Sequence, residues 1–185
     1  MLNSATLQSP RNARRGFTLT ELAIVMGVIA LLLGSISVAT RAVSRQRLVG
    51  DCVNQIWQIA NNIRNIYTGH PITGAPPGMA ALIASGAFPQ DMMFNGAPTN
   101  PWGGAYTAMF NNATEYEIDV AGLASPDMCA FLLSQIPSDG QDGAPTGIGY
   151  FAGTTFVSVT GLTPGAIANA TAAANCSAVG IRFTL

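Results

Sequence analysis

Apolar positions follow two regimes along the first third of the chain. From Leu22 to Thr40, nineteen consecutive residues carry no charge and are apolar nearly all round. Further on, the apolar residues thin to Val49, Cys52, Val53, Ile56, Ile59, Ala60, Ile63, Ile66 and Tyr67. Steps of three and four put these on one helical face. Asp51, Asn54, Gln55, Gln58, Asn61, Asn62 and Asn65 take the other face. No proline interrupts 17–67, and Gly69 to Pro71 supply a stop signal. The pattern predicts one helix over 17–67. Its apolar part, 22–40, spans about 28 Å, close to the hydrocarbon thickness of a bilayer. The amphipathic part must lie against a folded domain.

From Thr68 onward, Gly- and Pro-rich loops punctuate short elements. Gly78–Ser85 reads as a short helix stopped by Gly86. Ala105–Phe110 and Glu115–Val120 alternate as strands, joined through 111–114 as a hairpin. Ser125-Pro126-Asp127 starts a helix over Met128–Ile136, with serine as cap and proline in the first turn. Thr155–Thr160 and Val179–Thr184 read as strands, and Thr163 caps a helix through Ala174. The expected fold is α+β, an antiparallel sheet with the long helix along one face.

Composition narrows the function classes. Only 9% of the 185 residues are charged, against 49% apolar, and all eight basic residues are arginine. Arg11, Arg14 and Arg15 precede Gly16, so a chain beginning at Phe17 keeps five arginines against nine acids. That balance argues against broad electrostatic binding of nucleic acid. The early arginines favour a cytoplasmic N-terminus, while Arg41, Arg45 and Arg47 beyond the apolar run oppose it by equal number. Gly27, Gly34, Ser35 and Ser37 permit close helix approach. His70 is the one histidine, so no Ser-His-Asp triad or multi-histidine metal site is evident, and the chain reads as neither enzyme nor cofactor protein. Asp139 to Gly143 resembles part of a calcium loop but lacks the bidentate glutamate.

The cysteines suit an exported domain. A Cys129–Cys176 bridge would close a 47-residue loop, worth roughly 4 kcal/mol on the chain-entropy model. Cys52, on the apolar face of the long helix, reads as a small buried residue. Sequence alone leaves a pairing of Cys52 with either of the others open.

Arg14-Arg15-Gly16-Phe17-Thr18-Leu19-Thr20-Glu21 stands at the head of the apolar run. This arrangement resembles the class III signal of type IV pilins and pseudopilins. The resemblance implies that residues 1–16 are a leader, cut after Gly16 by a prepilin peptidase on the cytoplasmic side, with methylation of the new N-terminal Phe17. It further implies that Glu21 guides assembly, that 17–67 is the pilin helix with 22–40 as membrane span and then filament core, and that 68–185 is the globular domain. Cys129 and Cys176 match the two C-terminal cysteines that frame a variable loop region in that family, and Asn100 to Gly104 resembles its turn before a sheet strand. The leader length, the large C-terminal region and the cysteine spacing are similar to type IVb pilins of colonisation and conjugative pili. Phe17 departs from that subclass.

The implied function is a major pilin: a homo-oligomeric filament subunit for adhesion, aggregation or mating. It would be held in the inner membrane with its assembly machinery and then be extracellular. A minor pilin, a type II secretion pseudopilin or a membrane-anchored binding domain that never polymerises are the alternatives. Arg41, Arg45 and Arg47 suit either acids of adjacent subunits or a solvated, headgroup-facing cluster.

Overall fold

The computed structural model describes residues 18–70, 72–137 and 143–185, with side chains undescribed at 35–42. The leader, Gly16, Phe17, Pro71 and residues 138–142, which hold all but Gly143 of the calcium-loop-like stretch, lie outside the described residues. The chain divides into two compact units, Met1–Val43 and Ser44–Leu185.

Helix α1 runs Leu19–Tyr67, 49 residues without a break. In the first unit its described side chains are exposed on every face, Leu19 at 87% and Leu31 at 77%. Among the described residues no helix is long and apolar enough to cross a membrane. Side-chain description stops at Gly34, inside the apolar run, so the expected 22–40 span lies partly outside it.

The second unit is α+β. Among the described residues, helices α2 (Met79–Ala84), α3 (Pro126–Gln135) and α4 (Pro164–Ala173) accompany seven strands. A small hairpin pairs β1 (Met93–Phe94) with β2 (Ala97–Pro98). The main sheet comprises β3 (Tyr106–Phe110), β4 (Glu115–Ala121), β5 (Gly147–Ala152), β6 (Thr155–Ser158) and β7 (Ala178–Thr184), in the order β3-β4-β7-β5-β6 and antiparallel throughout. The last strand of the chain is therefore the middle strand of the sheet.

The stripe read from the sequence is the stripe that packs. Val49, Cys52, Ile56, Ile59, Ala60 and Ile63 of α1 are buried, while Val53, Ile66 and Tyr67 flank them half-buried. They meet the inner sheet face, built by strand alternation from Tyr106, Tyr116, Ile118, Val120, Ile148, Val179, Ile181 and Phe183. Tyr116 stacks on Phe183 at 5.5 Å, Trp57 meets Phe183 edge-on at 5.8 Å, and the Tyr116 hydroxyl donates to the Ala60 carbonyl at 3.0 Å. Large aromatic side chains here bridge helix and sheet and keep their polar ends satisfied.

Helices α3 and α4 start as expected. Ser125 Oγ accepts from Met128 N–H and Thr163 Oγ1 from Ala166 N–H, each at 3.4 Å, and a proline opens each first turn. Two elements differ from expectation. β5 was not among the expected strands, because Gly147 and Gly149 hide its alternation. The β1–β2 hairpin was not anticipated either, although Asn95 (φ 50°) and Gly96 (φ 79°) form the left-handed pair that a two-residue hairpin turn requires.

Candidate functional site

The assembly signal can be followed in the structure from Thr18. The Thr18 carbonyl accepts the first intrahelical bond, from Leu22 N–H at 3.1 Å, which makes Thr18 the N-cap of α1. Glu21 N–H donates to Thr18 Oγ1 at 3.3 Å. In return Glu21 Oε2 accepts from Thr18 N–H at 2.9 Å and from its hydroxyl at 3.0 Å. This is a reciprocal capping box. Glu21 is thus both the first acid of the helix and a group held by a specific neighbour. Its second oxygen, Oε1, makes no hydrogen bond among the described residues and faces solvent. Sequence reasoning passed over Thr18, although Thr-x-x-Glu ahead of an apolar run is its signature. Gly16 and Phe17, the expected cleavage and methylation positions, fall outside the described residues.

At the other end of the chain, the structure joins Cys129 to Cys176 with Cα atoms 6.3 Å apart, within the usual range for a disulfide. The bridge ties α3 to the segment between α4 and β7. Cys52 remains free and fully buried, and accepts from the Tyr106 hydroxyl at 3.2 Å. Burial pushes its thiol up to about 12 against that bond, so it stays protonated and unreactive at ordinary pH.

The Asn100–Gly104 turn is built around one buried side chain. Asn100 Nδ2 donates to the Ala121 carbonyl at 2.7 Å, and its Oδ1 accepts from Trp102 N–H at 3.0 Å and Gly104 N–H at 2.9 Å. A Cβ at Gly104 would collide with the Ala121 carbonyl, so only glycine fits.

A second polar cluster sits on the outer sheet face and was not anticipated. Arg182 Nε bonds Glu117 Oε2 at 2.6 Å, and the guanidinium lies 3.9 Å over the Phe156 ring. Asp119, next on that face of β4, accepts from Thr107 Oγ1 at 3.1 Å, but its buried Oδ1 has no partner. Burial, then the charge of Glu117, pushes Asp119 up to about 7, opposed by the Thr107 hydroxyl and Arg182.

Other sequence candidates are not brought together. His70 is exposed, its ring Nδ1 3.4 Å from the Thr68 carbonyl. Among the described residues no three His, Cys, Asp or Glu side chains gather as a metal site.

Residues 11–37 match the family model described as the prokaryotic N-terminal methylation motif. The match supports a type IV pilin-like or pseudopilin subunit, a structural class rather than an enzymatic one. It implies processing by a prepilin peptidase, a membrane-anchored prepilin and pilus assembly. The architecture, a long N-terminal helix followed by an antiparallel sheet domain, is consistent with the type IV pilin fold. A comparison with curated proteins gives no match.

Proposed function

We propose that the chain is the major structural subunit of a type IVb pilus, with Glu21 as its assembly acid. The observation that carries this reading is the methylation motif at 11–37, whose one acid is Glu21, next to the apolar run. Hydrolysis of the Gly16–Phe17 peptide bond discards the leader and creates an α-amine on Phe17, which methylation keeps cationic. α-Amino groups titrate near ~7.7–8.0. In a core of packed apolar helices both charges need partners, since an unpaired buried ion carries a large desolvation penalty. The Phe17 amine of an incoming copy meets Glu21 of a copy already in place, at the oxygen the capping box leaves open. Such a contact is heterologous and does not close, so repetition builds a helical fibre. The exposed apolar side chains from Leu19 to Leu33 then exchange lipid for one another, and the globular units, stapled by Cys129–Cys176, coat the outside.

Intact mass and electron microscopy of sheared material test the reading. Loss of Met1–Gly16 with a methyl on Phe17, and fibres made mainly of this chain, are expected. Glu21→Ala should remain processed and membrane-inserted yet assemble poorly; wild-type fibre yield from it would overturn the assignment. An uncut N-terminus would favour the tethered, non-polymerising alternative.

A further inference from the structure

Within the second unit, a groove of about 730 Å³ runs between the polar face of α1 and the β1–β2 hairpin. Asp51 and Asp91 line it, together with Asn54, Gln58 and the ring of Phe94, and no basic residue does. Phe94, the last residue of β1, is 66% exposed and presents its ring to the groove. Neither acid has an ion-pair partner: among the described residues the one salt bridge is Arg182–Glu117. Arg64 is engaged internally, by the Thr184 and Gly143 carbonyls. Among the described residues that leaves Arg45 and Arg47, both exposed on α1 and neither in an ion pair with a described acid. Arg47 and Asp51 stand four apart on the same helix but do not pair. The basic residue comes first, the less favourable order for such a pair.

We infer that this groove seats Arg45 and Arg47 of the next copy of the chain. The inference rests on the pilin reading above. A guanidinium matches the groove chemically: the two carboxylates accept its N–H groups, the amides of Asn54 and Gln58 offer further acceptors, and the Phe94 face takes the planar cation. Charge complementarity supports the same occupant: the groove carries two carboxylates and no cation, and the exposed guanidiniums of Arg45 and Arg47 belong to the same unit.

Charge reversal in producing cells tests this. One variant reverses the groove (Asp51→Arg with Asp91→Arg), one the donors (Arg45→Asp with Arg47→Asp), and one carries all four changes. Each half-reversal should yield processed, methylated subunit but about tenfold fewer sheared filaments, and the fourfold variant should recover to within about threefold of wild type. Wild-type yield from either half-reversal, or no recovery in the fourfold variant, overturns the inference. An oxidised Cys129–Cys176 and a Cys52 protected from alkylation report the fold. If a reversal fails that check, Asp91→Asn and Arg47→Gln replace it, with a smaller loss expected from each and wild-type yield from both counting against the inference. Glu21→Ala in parallel separates the two claims. Absence of filaments from the unsubstituted chain removes the filament reading itself, normal assembly of Glu21→Ala removes only the role of that acid, and failure of Glu21→Ala beside normally assembling reversals removes only the docking surface.

Discussion

Thr18 and Glu21 hold each other across the first turn of α1, the hydroxyl of one accepting from the backbone of the other while the carboxylate closes back on Thr18 through one oxygen. The acid at the head of the apolar run is thus oriented before any neighbour arrives. A carboxylate whose Oε2 already serves two donors offers Oε1 to an incoming amine in a defined direction, which lowers the ordering cost of association.

This arrangement predicts a graded series at Thr18. Thr18→Ser keeps the hydroxyl and should assemble as wild type. Thr18→Val keeps shape but loses one donor to Glu21 and the acceptor for its N–H, so filament yield should fall roughly three- to tenfold, with processing intact by mass. Equal yields from Val and Ser would mean that the capping box has no part in assembly.

Removing the disulfide should weaken the globular unit without changing its architecture. Cys129→Ser with Cys176→Ser releases a 47-residue loop, and denaturant midpoints should report a loss of about 4 kcal/mol. A loss under about 1 kcal/mol would show that α3–α4 packing alone holds the segment.

Asn100 should be intolerant despite lying in a turn. Asn100→Ala leaves two backbone N–H donors and the Ala121 carbonyl without their partner in a site only 3% exposed. The expected cost is about 2–3 kcal/mol by urea denaturation. A near-neutral result would imply that water takes over all three bonds.

The long helix was legible because its period is carried by large residues: every position from Val49 to Ile63 that the pattern marked as core is buried or half-buried. The caps at Ser125 and Thr163 were legible because the chemistry is local. β5 was not, and Phe156 explains why. Gly149 and Gly180 stand opposite each other in register, and a Cβ on either would strike the Phe156 ring. The glycines that a sequence reading takes for loop residues are there to admit a ring from β6. Strand order was equally hidden, since nothing local says that the last strand enters between β4 and β5. At the site, Glu21 stood out because a charge beside an apolar run is costly. Its partner Thr18 did not, since a hydroxyl costs little anywhere. Glu117 and Asp119 come from one strand and Arg182 from another, 65 residues beyond Glu117 in sequence, and only the β4–β7 register brings them together.

Asp119 makes the stability of the globular unit depend on pH with a sign opposite to that of an ordinary salt-bridged acid. Unfolded, its carboxyl titrates near ~3.9; folded, burial and Glu117 push it up to about 7. Below the lower value both states hold the proton. Between the two values the folded chain keeps a proton that the unfolded chain has released, so stability falls as pH rises, and the loss is complete above about 7. The groups facing Asp119 set this balance: Glu117 beside it, Arg182 committed to Glu117 from β7, and the Thr107 hydroxyl from β3. Discounted for solvent screening at a partly accessible site, the loss between pH 5 and 8 should be about 1–2 kcal/mol. Asp119→Asn removes the titration, so its stability difference from wild type should grow across that window in favour of the variant. Urea midpoints at pH 5, 6.5 and 8 measure the difference directly, and parallel profiles for the two proteins would show that Asp119 is ionised in the folded chain throughout.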